Sequence, residues 1–145
     1  MIALVQDPID VSEVLRSVED NSCGAAVLFL GTVRNQGDIG AVCEIYFEAY
    51  KEMAKEALGR IEQQVIARWG VKKFTVVHRM GCLKVGEIIV AIAAVAPHRL
   101  EAFESCKYAI DSIKKTVPIW KKEISGSNKK WVEGTLLEDN QDGYV

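Results

Sequence analysis

Apolar and polar positions alternate along the chain in two rhythms, and these lay out its elements. Val11, Val14, Leu15 and Val18 fall at i, i+3, i+4 and i+7 behind Asp10-Val11-Ser12-Glu13, a capping-box pattern, and predict a short first helix. Residues 24–30 are an apolar run too short for a typical helix and bounded by Gly31, which predicts a buried strand, and residues 35–40 follow as a loop. Cys43, Ile45, Phe47 and Ala49 alternate with Glu44, Tyr46, Glu48 and Tyr50, the period of a half-buried strand expected to form a hairpin with the strand before it. Met53, Ala57, Ile61, Val65 and Trp69 restore a helical stripe, and Gly70 ends it.

Residues 73–79 and 87–96 read as strands, with Met80-Gly81 and Val85-Gly86 marking turns between them. Pro97 closes the longest apolar run. A third helix spans about 98–117 with Phe103, Ile110, Ile113 and Val117 as apolar members, and Pro118 stops it. Residues 119–124 and 131–137 flank Gly126-Ser127-Asn128-Lys129-Lys130 and predict a C-terminal hairpin. The order αββαββαββ defines an α+β fold, a single compact domain with a largely antiparallel sheet and three helices. That domain covers 1–137 and leaves 138–145 as a flexible acidic tail.

Composition adds exclusions. A chain of 145 residues with 49% hydrophobic and 26% charged residues can bury a core without disulfide or metal staples. A formal charge of -2 argues against a general nucleic-acid binder. The longest apolar run is about half of the roughly 20 residues a membrane-spanning helix needs. The N-terminus lacks the basic region of a secretory signal, so a cytoplasmic protein is expected. Cys23, Cys43, Cys82 and Cys106 are 20, 39 and 24 residues apart with no C-x-x-C pair, and are expected to be ordinary buried thiols rather than metal ligands.

The usual phosphate-loop, dinucleotide, nucleophile-elbow and zinc-protease motifs are missing, and only two histidines are present. What stands out is cationic. Gly31-Thr32-Val33-Arg34 puts a guanidinium, a planar fork suited to phosphate or carboxylate, just after a buried strand. Pro97-His98-Arg99 puts imidazole and guanidinium at the entry to a helix, where free N–H groups also favour anions. From His98 to Lys122 there are six Lys/Arg against Glu101, Glu104 and Asp111, a net +3 in an acidic protein. Lys114 follows Ile113 and borders the apolar face, so partial burial would favour its neutral form and fit it to proton transfer. A helix-dipole role for Lys114-Lys115 and a solvated loop role for Arg34 are the plainer readings. His78 shares a strand face with Phe74 and Val76 and reads as a hydrogen-bonded structural histidine; Trp69, Trp120 and Trp131 read as packing anchors.

A set of motifs in register goes further. Gly31-Thr32-Val33-Arg34, Glu48-Ala49-Tyr50 with Met53-Ala54, His78-Arg79-Met80-Gly81, Val85-Gly86-Glu87, Pro97-His98-Arg99, Ile110-Asp111-Ser112-Ile113-Lys114, and Pro118-Ile119-Trp120-Lys121-Lys122-Glu123 with Trp131-Val132-Glu133 together closely resemble the large, catalytic subunit of molybdopterin synthase. The likeness spans roughly residues 1 to 135. It implies a sulfurtransferase that converts cyclic pyranopterin monophosphate (precursor Z) to molybdopterin. The sulfur would come from the C-terminal Gly-Gly thiocarboxylate of a small ubiquitin-like carrier subunit. The resemblance also implies a homodimer of large subunits within a heterotetramer, and no metal or other cofactor. By resemblance, Lys114 and Lys121 are the catalytic lysines, and Arg34, His98 and Arg99 join them in binding substrate. Family members often carry one more basic residue after the Trp-Val-Glu element, where this chain has Gly134-Thr135-Leu136-Leu137; Lys129 and Lys130 are candidates to replace it.

One consequence follows from helix geometry. His98 and Lys114 are 16 residues apart, about 24 Å along a single helix at 1.5 Å per residue. They cannot line one small pocket in one chain, so a site shared between two large subunits is expected. The rival from another class is a non-catalytic anion-binding scaffold that docks a partner's acidic tail; an unrelated acyl- or phosphoryl-transfer enzyme is a further one.

Overall fold

A strand with no polar alternation has to be covered on both faces, and the architecture is built around that requirement. In a computed structural model that describes residues 1–38, 40–126 and the backbone of 128–132, β8 (Ile88–Ala96) lies between β6 (Lys73–Arg79) and β2 (Ala25–Thr32), antiparallel to both. β1 (Ile2–Val5) adds parallel to β6, giving the order β1-β6-β8-β2. On one face α2 (Lys51–Trp69) and α3 (Arg99–Thr116) bury Leu58, Ile61, Val65, Cys106, Ala109 and Ile113 against Phe74, Val76, Val90 and Ile92. On the other, α1 (Val11–Ser17) and its C-cap set Val14 and Val18 against Val77, Ala91, Ala93 and Val95. Alternate residues of β8 thus feed two cores. No helix among the described residues is long and apolar enough to cross a membrane.

Helix ends follow the local chemistry. The Asp10 carboxylate accepts from the Ser12 N–H (2.9 Å) and the Glu13 N–H (3.3 Å), so the Asp10 half of the expected capping box is made. Gly70 closes α2 in the left-handed region with φ 61°. α3 carries His98 at its N-cap and ends at Val117, before Pro118.

The second sheet has the order β10-β9-β5-β7, with β5 (Glu44–Ala49), β7 (Gly81–Lys84), β9 (Ile119–Ser125) and β10 (Asn128–Val132) all antiparallel. Its inner face joins Ile45, Phe47 and Leu83 to Val33, Val42 and Met80 in a third apolar cluster. Between β2 and β5, a two-residue ladder pairs β3 (Gln36–Gly37) with β4 (Gly40–Ala41).

Four expectations need correction. β5 forms no hairpin with β2: β2 pairs with β8, while β7 and β9 take both edges of β5. Alternation fixes a strand's two faces and says nothing of its neighbour. The sequence pattern also passed over β1, β7 and the β3–β4 ladder, each of four residues or fewer. The C-terminal hairpin is present, but its second strand starts at Asn128 rather than Trp131; the boundary at 137 and the tail 138–145 lie outside the described residues. Finally, only Cys106 is a buried thiol. Cys43 and Cys82 are exposed and Cys23 is intermediate, because Cys43 precedes β5 and Cys82 sits on the solvent face of β7, 3.6 Å from Glu44 Oε2.

Candidate active site

Three cations reach one region from three elements. The first is delivered by the end of β2. A Cβ on Gly31 would lie 2.9 Å from Val90 Cγ1, so the chain passes over β8 at a level a larger residue would crowd. The ladder then shifts register between Gly31 and Thr32, the kind of irregularity that re-aims the following side chains. Val33 is buried, with its N–H on Glu87 O (3.0 Å) and its carbonyl receiving the Gly86 N–H (2.8 Å). That two-bond clamp lets Arg34 leave the sheet with its side chain exposed.

β9 supplies the second cation. Ile119, Lys121 and Glu123 face the same way, opposite Ala49, Phe47 and Ile45 of β5. Lys121 is half-buried on that face, and Glu123 is buried at 3% exposure. Lys122 points to the other side, across from Tyr46.

The third cation comes from the last turn of α3. Ala102, Cys106, Ala109 and Ile113 make the buried stripe, and Lys114 sits at its border. Its ammonium is held below the usual lysine value, first by partial withdrawal from water, then by repulsion from Lys121 and Arg34, with Asp111 pulling the other way. Arg34, Lys114 and Lys121 are therefore electrostatic neighbours, although 80 positions separate the first two in sequence.

His98 and Arg99 stand at the opposite end of α3. Both are exposed, and the His98 side chain makes no capping bond although it occupies the N-cap. One unbroken helix joins them to Lys114, so the separation expected along it holds at about 24 Å. The structure brings Arg34, Lys114 and Lys121 together and leaves His98 and Arg99 apart from them within one chain.

The other singled-out residues have structural work. His78 is buried, donates from Nδ1 to the Arg79 carbonyl (2.9 Å) and meets the Phe47 ring edge-on at 5.4 Å. Burial lowers its pKa to about 4, against a weaker upward pull from that hydrogen bond. Arg79 bonds Glu87 (3.1 Å) and the Gln6 carbonyl (3.1 Å), tying β6 to the β7–β8 turn. Trp120 packs edge-on to Tyr50 at 4.9 Å, and Trp69 leans on Tyr108 at 5.2 Å beneath Arg68. The sequence assigns Glu123 no role; its two-residue spacing from Lys121 on an alternating strand is the available signal.

Fold and site together define an α+β domain that gathers fixed positive charge at the junction of its two sheets and a helix C-terminus, an arrangement suited to anionic substrates. The MoaE family, described as "MoaE protein", matches residues 4–116. A molybdopterin synthase catalytic subunit from Pyrococcus abyssi is 37% identical over 135 residues, covering 92% of this chain and 91% of that protein. One from Drosophila virilis is 43% identical over 124 residues, but the match spans only 36% of that longer protein. The crystal structure of molybdopterin synthase from Staphylococcus aureus superposes with a TM-score of 0.86 at 35% identity, covering 90% of this chain and 95% of that one. The chain belongs to the MoaE family, the family of molybdopterin synthase catalytic subunits.

Proposed function

We propose that this chain acts as the catalytic subunit of a molybdopterin synthase in the cytoplasm, converting cyclic pyranopterin monophosphate to molybdopterin. The sulfur donor in this reading is the C-terminal thiocarboxylate of a small ubiquitin-like carrier; the relatives' name, catalytic subunit, itself implies a further subunit. The observation that carries the reading is the convergence of Arg34, Lys114 and Lys121. A cyclic phosphate and a thiocarboxylate are both anions, and attack by sulfur builds negative charge on the departing phosphate oxygen. Cations already in place lower the cost of that charge without reorganising during the step.

Lys114 is assigned the general acid/base role at the thiocarboxylate end. Its lowered pKa gives it more of the neutral amine near pH 7 than an unperturbed lysine would have, and it can pass a proton either way. Lys121 positions substrate and stabilises charge. Arg34, His98 and Arg99 bind phosphate and pterin, the last two from the partner copy of a large-subunit dimer. The length of α3 supports that sharing, since His98 and Arg99 are too far from Lys114 to meet it in one chain.

The direct test mixes purified protein with thiocarboxylated carrier and cyclic pyranopterin monophosphate and looks for the dithiolene product. No product from reagents active with another synthase would overturn the reading. Sharing is tested by mixing a Lys114→Ala chain with a His98→Ala chain: exchanged dimers should regain one working site. Exchange without regained activity would count against a composite site.

A further inference from the structure

The loop that follows Arg34 is fastened from outside itself. At its base the Val42 N–H donates to Asn35 O (3.0 Å) and the Cys43 N–H donates to Ile124 O of β9 (2.8 Å). At Gly37 the backbone comes so close to Glu123 that a Cβ there would lie 2.5 Å from Oε2 and 2.6 Å from both Cδ and Oε1. The whole carboxylate head of Glu123 fills that space. Glu123 is buried at 3% exposure on the inner face of β9, so its carboxylate can give way only by displacing packed neighbours. Gly37 is not among the glycines with positive φ, so what this position demands is room and not an unusual backbone.

These contacts form a chain of support. Glu123 stands two residues from Lys121 on one strand face, Gly37 rests against Glu123, and Arg34 precedes Gly37 by three residues. We propose that Glu123 is a positioning residue: its buried carboxylate seats the backbone of Gly37 and so keeps the β3–β4 loop where Arg34 stays beside Lys114 and Lys121. Its consequence for turnover rests on the synthase reading, whereas the seating itself does not. Glu123 need not touch substrate. Its effect is to fix the distance between a guanidinium on a loop and two ammonium groups on rigid elements, the kind of support that small displacements in a catalytic site make necessary.

Two kinds of measurement separate this from a role for Glu123 as a charge. The first follows the Lys114 ammonium by NMR titration of the full chain carrying isotope-labelled lysine, with Arg34→Ala as reference. Losing Arg34 removes a repulsion, so the reference titrates upward. Gly37→Ala, which changes no charge, should move Lys114 the same way because the displaced loop carries Arg34 off. Glu123→Ala should also move it upward. Loss of a carboxylate acting through its own charge would move it down, so the sign decides. The double variant Gly37→Ala/Glu123→Ala should shift Lys114 no further than the larger single shift, since the new methyl group enters the space the carboxylate left. Glu123→Gln, with similar volume and a remaining acceptor oxygen, should restore most of the native value.

The second measurement is steady-state turnover. Gly37→Ala should raise KM for the pterin phosphate about tenfold, the scale of one hydrogen bond to a charged group, with kcat changed much less. An unmoved Lys114 in folded Gly37→Ala, a downward shift in Glu123→Ala, additive effects in the double variant, or a collapse of kcat at constant KM in Glu123→Gln would each overturn the proposal. If the unmodified protein makes no product, the synthase reading fails, and the titration still decides the seating.

Discussion

His78 and Lys114 have both lost water and both titrate below their usual values, yet they behave as opposites. His78 sits inside the first sheet with one backbone acceptor and an aromatic edge for company, and burial alone takes it to about 4. It stays neutral through the physiological range and is sealed off from reactants. Lys114 is only partly withdrawn, remains open to solvent, and is pushed further by Lys121 and Arg34. Desolvation without other charges marks a packed residue; like charges drawn together from a loop, a strand and a helix mark a place prepared for something of opposite sign.

The sharpest way to break that contrast is at Lys114. Lys114→Ala should leave carrier binding in place and lower turnover by about 10²- to 10⁴-fold, the usual share of a general acid or base; a variant that keeps its rate would return Lys114 to the scaffold reading. Next in size is an effect on stability. The folded pKa of His78 lies below its unfolded value of 6.5, so the unfolded chain binds more protons between the two. Stability should be unaffected by this group above pH 6.5 and fall by up to roughly 3 kcal/mol as the pH drops to about 4. Urea unfolding of His78→Leu against the parent across that window should show a flatter acid limb, and identical slopes would contradict the assignment.

Smaller still is a titration effect. Lys121→Ala should raise the Lys114 pKa, because a repulsion disappears while Asp111 continues to favour the charged form. The smallest expected effect is a gain. Crowded like charges oppose folding, so Lys121→Ala should show a slightly higher Tm than the parent near neutral pH, as functional sites often give up stability. Because the folded pKa of Lys114 is lowered, the gain should be complete below that pKa, fade between it and 10.5, and be absent above.

Much of the first sheet was legible, for a physical reason. The unbroken apolar run of β8 and the stripes of α2 and α3 are the periodicities that burial on two faces and on one face impose. The second sheet was less so. β5 shows which side of it is wet, but its neighbours come from β7 and from β9, whose paired residues lie 70 to 80 positions later, and no local pattern encodes that pairing. The cations divide the same way. Arg34, Lys114 and Lys121 could be picked out as residues at the ends of elements and by resemblance. Their meeting depended on the shift after Gly31 and on β9 returning beside β5. Glu123 lies in a resembling segment yet carries no role there, because a single acidic residue after two lysines reads as surface charge; its burial and the approach of Gly37 show it as packed.

The phase of α3 has an evolutionary consequence. Ala102, Cys106, Ala109 and Ile113 must keep facing the core while Lys114 faces Arg34 and Lys121. A single inserted or deleted residue anywhere between them would turn everything beyond it by about 100° and move it by about 1.5 Å. The helix should therefore tolerate exchange at exposed positions remote from Lys114, such as Phe103 and Glu104, and should not tolerate any change in length. Across distant relatives, its exposed positions should drift freely while its count of residues stays frozen.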